Sequence, residues 1–382
     1  MKLSTDRILT THVGSLPRPV DLFELLQQRE RGEPYDPSVF ASHCRGAVAE
    51  VVRRQVEAGI DVVTDGELTK LSFVSYINHR LAGAARGTIN RNPWGASREV
   101  EAFPEFYKPI AGPSRSPRML CVGPLSYIGE AQLAADIEAL KASAERFAAV
   151  ETFMPAISPT NVEDWFKNEY YGNEDDYLHA IADAMRVEYL AIAAAGLLVQ
   201  IDDPRLASYY TLNRDVSVEE CRRWAEKRVE VLNYALRGIP ADRVRFHTCY
   251  SIDIGPRIHD IELRHILDIL LKINAGAYSF EAANPRHEHE WRLWTEAELP
   301  DHKVLIPGVI SHTTVLVEHP ELVADRIERF ARAVGRERVI AGVDCGFASF
   351  AGSHGVHPTA VWPKLEALVR GAELASERLW RR

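Results

Sequence analysis

The sequence predicts an α/β chain that folds as one elaborated (β/α)8 barrel over residues 1–382, with an N-terminal extension and inserted loops. Three observations predict it. Short apolar, β-prone runs alternate with amphipathic helical stretches along almost the whole length, which is the signature of parallel β/α units. No linker rich in Ser, Gly or charge divides the chain, which favours one large barrel over two domains. Polar, chemically active residues recur where the apolar runs end, and barrel enzymes keep their sites at the C-terminal rim of the strands. A doubly wound open sheet is the alternative, but it normally carries a Gly-rich phosphate loop after its first strand, and none is clear here.

Taken in order, Ile8 to Ser15 is a β-prone run broken by Gly14, Pro17 and Pro19. Helices are expected from about Val20 to Gln28 and from Pro37 to Ala58, the second with Val48, Val51, Val52 and Val56 on one face. Ile60 to Glu67 is a strand ending in carboxylates. Residues 85–115, rich in Arg, Asn, Pro and Gly, read as an excursion over the barrel mouth that includes a short hairpin. Met119–Tyr127 is a strand and Glu130–Phe147 a helix. Glu151–Ile157 is the next strand, followed by a loop from Ser158 to Gly172 dense in aromatics, including Trp165. A helix starting at Asn173 and ending at Gly196 precedes the strand Leu197–Pro204. Ser217 and Glu220 form a capping-box pattern for a helix to Arg237. Then come a strand over 243–250, a helix near 259–272, the strand Ala277–Glu281, a helix over 287–298 and the strand Val304–Ile310. A helix opened by Pro320, the strand Val339–Gly346 and a helix from Thr359 to Ser376 complete the chain. These make nine candidate strands, one more than the barrel needs, and the run at 8–15 is expected to lie outside it.

Composition excludes some classes. The formal net charge is -9, and no Lys/Arg run offsets it, so a nucleic-acid partner is not expected. No apolar run is long enough to span a membrane. The N-terminus lacks the apolar core of a signal peptide, so a cytoplasmic protein is expected. Five scattered cysteines favour free thiols or metal ligands over disulfides. A homo-oligomer is compatible with these numbers.

The strand over 243–250 carries His247 and Cys249 two residues apart, hence on one face. Neutral imidazole and thiolate are zinc donors. Glu281 ends the next strand and Cys345 the last. Strands curling round one barrel bring the four together, and two thiolates, an imidazole and a carboxylate suit Zn2+. At a barrel mouth Glu281, the weakest ligand, can yield to a substrate thiol, which zinc holds as thiolate near neutral pH. Ser15, Asp65, Glu67, Asp202, Asp203, Ser311 and His312 mark the other strand ends. Cys44, Cys121 and Cys221 read as small buried hydrophobes. His287-Glu288-His289 reads as a solvated face, and His354 with His357 as a loop pair too weak to mark a site.

With these residues assembled, the chain resembles the catalytic barrel of the cobalamin-independent methionine synthase family. The likeness rests on Thr10-Thr11-His12-Val13-Gly14-Ser15-Leu16-Pro17, Asp65-Gly66-Glu67, Gln200-Ile201-Asp202-Asp203-Pro204, His247-Thr248-Cys249-Tyr250 and Asp344-Cys345-Gly346, in the family's order. The resemblance implies His247, Cys249, Glu281 and Cys345 as zinc ligands. It implies Ser15, Glu67 and Asp202 as the amino-acid thiol site, Trp165 near the methyl donor and His312 as a catalytic histidine. Asp203 and the Ser311-His312-Thr313 pattern depart from the family. There is also no room for the family's second, folate-holding half.

The function expected is zinc-dependent methyl or alkyl transfer to a thiol, with homocysteine as acceptor and a folate, a corrinoid protein or an epoxide as donor. Short relatives include zinc enzymes that join coenzyme M to epoxides, and this is the second reading. Its sulfonate would need a cation from Lys70, Arg18 or Arg205. A zinc-stabilised, non-catalytic thiol-binding barrel is the third.

Overall fold

The computed structural model describes residues 1–90, 95–108, 117–250, 255–352 and 356–381. Its eleven strands are β1 (Leu9–Thr10), β2 (Val62–Val63), β3 (Leu81–Asn90), β4 (Pro117–Tyr127), β5 (Glu151–Ile157), β6 (Phe166–Asn168), β7 (Leu198–Asp202), β8 (Val244–Thr248), β9 (Ala277–Phe280), β10 (Val304–Ile310) and β11 (Ile340–Val343). Eight of them form one parallel sheet in the order β1-β11-β10-β9-β8-β7-β5-β2. A parallel bridge between Thr11 and Val62 joins its two edges. The sheet is therefore a (β/α)8 barrel, with the main helices between successive strands.

One expectation is corrected here. The first run belongs to the barrel: Leu9 pairs with Ile340 and Thr10 with Ala341. The supernumerary strand is β4, which pairs antiparallel with β3 and parallel with β6 in a separate three-stranded sheet. Both runs are equally β-prone, and strand propensity does not specify which edge a strand joins. The excursion is thus a long hairpin followed by the short helix Arg98–Ala102; parts of 85–115 lie outside the described residues.

Buried ionic contacts fasten this side sheet to the barrel. Arg80 donates to Asp136 at 2.6 Å and to Glu188 at 3.3 Å, and the Tyr76 and Tyr127 hydroxyls donate to Glu188 at 2.8 and 2.7 Å. At the opposite end, Met1 packs against two apolar clusters inside the barrel, one with Leu9, Ile306 and Ile340, the other with Val62, Phe153 and Leu198. The N-terminal extension is therefore the arm before β1, which seals the barrel floor. Arg7 clamps Asp61 there at 2.8 and 2.5 Å.

The helices start where local chemistry caps them. Asp36 accepts from the Ser38 and Val39 amides ahead of the helix Pro37–Glu57. Asn173 accepts from the Asp176 amide ahead of Glu174–Ala194, and Ser217 and Glu220 complete a capping box ahead of Val218–Ala235. Two expected helices are broken up or tightened. The stretch 259–272 holds a 3₁₀ turn at Leu263–His265 and a helix at Leu267–Leu270, and 287–298 becomes the 3₁₀ helix Glu288–Thr295. There, buried carboxylates satisfy backbone amides of the irregular chain: Glu99 accepts from the His259 amide, and Glu290 from the Leu263 amide.

Candidate active site

Strand alternation delivers the first part of the site. Arg245, His247 and Cys249 follow one another at every second residue, so they share a face of β8 and its C-terminal extension. His247 and Cys249 meet Cys345, which follows β11, and one ligand atom from each lies within 4.8 Å of the others. The two sulfurs are 3.2 Å apart, and all three residues are buried. Ser279, opposite His247 in the β8–β9 ladder, lies 3.1 Å from Nδ1. Nε2 is buried with no hydrogen-bond partner. Burial, helped by the charges of Arg245 and His312, pulls the imidazole down to about 3. A neutral imidazole with Nδ1–H fixed by Ser279 presents its Nε2 lone pair, which is the state a metal-ligating histidine takes. This donor set fits zinc: two thiols and one imidazole on a rim, with one tetrahedral position left over.

Glu281, the fourth expected ligand, has other close neighbours. It belongs to a second group with His312 and Asp344, again within 4.8 Å. Its Oε1 accepts from the Tyr250 amide at 2.7 Å, and its Oε2 from Asn284 at 2.7 Å and Arg257 at 3.0 Å. Asp344, which precedes Cys345, shapes this part of the rim. Its Oδ1 accepts from the Ala282 and Ala283 amides at 2.8 Å each, pinning the turn after Glu281. Burial, then the charge of Glu281, pushes it up to about 7. Gly308 exists for this contact: a Cβ there would lie 2.1 Å from Asp344 Oδ1.

The expected thiol-ligand residues gather at the same rim. Glu67 sits at φ 55°, in the left-handed region, and Gly14 makes room for it, since a Cβ on Gly14 would come within 2.8 Å of Glu67 Oε1. Gly346 does the same for Ser15, whose Oγ would be 2.1 Å from a Cβ there. The Ser15 hydroxyl also accepts from the Ala348 amide at 3.3 Å, so the turns after β1 and β11 are locked together. Asp202 accepts from Gln200 at 2.9 Å. Burial raises the affinity of both Glu67 and Asp202 for protons; the charge of Glu67 adds to the effect at Asp202, while Lys70 and Arg18 oppose it at Glu67. Neighbouring buried carboxylates resist ionising together. Gln55 ties this corner down, bonding His12 at 2.8 Å and both the amide and carbonyl of Thr64.

Other residues are placed as follows. His312 is buried just beyond β10. Trp165 is half-buried at the end of the helix Pro159–Trp165, with its indole N–H on Asn78 at 2.9 Å. Arg18 donates to the carbonyls of Lys70, Glu67 and Ala348, Lys70 to that of Pro155, and Arg205 pairs with Asp164 at 3.1 Å. Cys44, Cys121 and Cys221 are buried, as expected. His287 overturns its expectation: it is 2% exposed, stacked on Tyr250 at 3.8 Å and bonded to Asp260 and Glu290. Those bonds outweigh burial and lift it to about 9. His354 lies outside the described residues. Sequence reasoning gave no role to Ser279, Asp344, Arg257 or Asp260. Asp344 carried a signal in the Asp344-Cys345-Gly346 motif, and Ser279 in standing two residues before Glu281 on the same strand face.

Comparison with known proteins agrees with this architecture. A methionine synthase of Thermococcus kodakarensis is 24% identical over 377 residues, covering 97% of this chain and 94% of its own. One from Saccharolobus solfataricus is 25% identical over 388 residues, covering 98% and 96%. The solved B12-independent methionine synthase of Shewanella sp. W3-18-1 superposes with a TM-score of 0.74 at 20% identity, over 98% of this chain and 99% of that one, and shares the fold. The model of the cobalamin-independent synthase catalytic domain matches residues 8–102 and 159–363, leaving out β4 and β5. The match takes in the turns that carry Ser15, Glu67, Asp202, His247, Cys249, Glu281, His312 and Cys345, and the chain belongs to the family of the cobalamin-independent synthase catalytic domain.

Proposed function

We propose that this chain is a zinc-dependent methyltransferase that methylates a thiol, with homocysteine as the acceptor. The observation that carries the reading is the buried His247–Cys249–Cys345 trio, its imidazole Nε2 unpartnered, at the same rim as the paired carboxylates Glu67 and Asp202. His247, Cys249 and Cys345 would hold the ion, with Glu281 as an exchangeable fourth donor. Bound zinc would supply a lowered thiol pKa, keeping the acceptor as the nucleophilic thiolate. Glu67 and Asp202 would bind the acceptor ammonium, and their carboxylates lose their proton affinity once that positive charge arrives. Ser15 would orient the acceptor carboxylate. His312, buried beside Glu281 and Asp344, would move the thiol proton, and Trp165 would face the methyl donor. The names of the relatives, methionine synthases over nearly their whole length, support homocysteine.

The coenzyme M reading draws no comparable support. A sulfonate needs a cation, whereas Arg18 and Lys70 are committed to backbone carbonyls and Arg205 to Asp164. Calorimetric titration of zinc-loaded protein tests both. Homocysteine is expected to bind and coenzyme M to bind far more weakly; equal or reversed affinities would sink the proposal.

A further inference from the structure

We propose that Arg257 is a positioning residue that engages Glu281 and thereby keeps it a weak, exchangeable fourth donor, so that the thiol can take its place beside His247, Cys249 and Cys345. This rests on the zinc–thiol reading above. The Glu281 side chain is fully buried, and its charge is met by a guanidinium. Its Oε2 receives Arg257 Nη1 at 3.0 Å and Asn284 Nδ2 at 2.7 Å, while Oε1 receives the Tyr250 amide at 2.7 Å. Charge-assisted bonds to a carboxylate draw on the same lone pairs that a metal would use. A Glu281 held in this way is therefore a weak, reversible ligand, and a thiolate competes with it more easily.

The position of Arg257 is itself enforced. It adopts φ 56°, a left-handed conformation that costs a non-glycine residue about 1 kcal/mol or more and persists only where surroundings impose it. The Arg257 amide donates to Glu99 Oε2 at 3.0 Å, and the His259 amide and Nδ1 meet Glu99 Oε1 at 2.7 and 2.9 Å. Glu99 is fully buried and comes from the helix Arg98–Ala102 of the excursion. On the other side Arg257 Nε donates to Asp260 at 2.7 Å, and Asp260 meets His287 Nε2 at 3.1 Å. The excursion thus reaches the metal set through a relay: Glu99 fixes the loop, the loop fixes Arg257, and Arg257 fixes Glu281.

The test is Arg257→Gln, read by zinc affinity in chelator competition, by X-ray absorption at the zinc edge and by homocysteine titration. Without the guanidinium, the Oε2 lone pairs of Glu281 are freer for the metal. Zinc should bind about tenfold tighter, homocysteine about tenfold weaker, and the oxygen neighbour at the zinc should persist at homocysteine concentrations that displace it in the wild type. Adding Glu281→Gln should erase these changes, because Arg257 acts through Glu281. If Arg257→Gln fails to fold, Asn284→Ala, which strips the other bond from Oε2, should move the same constants in the same direction. Unchanged constants, a weakened zinc affinity in a folded variant, or effects that persist with Glu281→Gln would each overturn the assignment. A wild-type protein that takes up no zinc would overturn the zinc reading itself, which is a separate outcome.

Discussion

At the residue scale the site is made of side chains that are costly to bury and of glycines that let them fit. Gly14 gives way to the Glu67 carboxylate, Gly346 to the Ser15 hydroxyl and Gly308 to Asp344. Asp202 shows the energetic side. Burial and the neighbouring charge of Glu67 raise its pKa well above that of an ordinary carboxyl group. A group whose folded pKa is raised favours the folded state below its unfolded pKa, near 4, and that contribution is lost as pH rises toward the folded value. Asp202 should therefore make the ligand-free protein less stable at pH 7 than near pH 4. Asp202→Asn should raise the melting temperature of the ligand-free protein at pH 7 while weakening homocysteine binding. Thermal unfolding at pH 5 and pH 7, with a smaller difference in the variant, checks the sign. The residue types at the rim were legible because strand ends are fixed by alternation and each carries a reactive group. The partners that tune them were not: Arg257, Asp260 and Glu99 come from loops or short turns, where nothing periodic predicts who meets whom.

At the element scale most helices were legible and the side sheet was not. Pro37, Asn173, Ser217 and Pro320 mark helix starts through local capping chemistry, which needs no tertiary partner. The hairpin of β3 and β4 is different, because its place depends on a buried cation. Arg80 neutralises Asp136 and Glu188, and both carboxylates are almost inaccessible to solvent. Replacing Arg80 with Met leaves two buried charges without a counterion. The expected cost is about 3–5 kcal/mol, measured by urea unfolding. A loss below 1 kcal/mol would show that the side sheet stands without this contact. The same tertiary override shortened the helix expected over 259–272, where Glu99 and Glu290 satisfy amides of the intervening chain.

For the whole molecule the barrel is closed at one end and chemically active at the other. No helix among the described residues is long and apolar enough to cross a membrane. The floor depends on the N-terminal arm: Met1 fills it, Ser4 donates to the Val339 carbonyl at 2.6 Å and Arg7 neutralises the nearly buried Asp61. Deleting residues 1–7 should cost roughly 3 kcal/mol or more, seen as a lower melting temperature, with the zinc affinity of the still-folded fraction retained. A deletion with an unchanged melting temperature would mean that the arm only rests on the barrel. The sequence by itself determined the parallel β/α alternation, the rim location of the site and the residue types that collect there. Period and spacing are local properties that survive without knowledge of contacts. Contacts between distant segments place β1 in the barrel and β4 outside it, bury His287, and give Glu281 its partner Arg257. The physical reason is the same in each case. Which edge a strand joins, and which counterion a buried charge finds, is a choice between distant segments of the chain that no local pattern encodes.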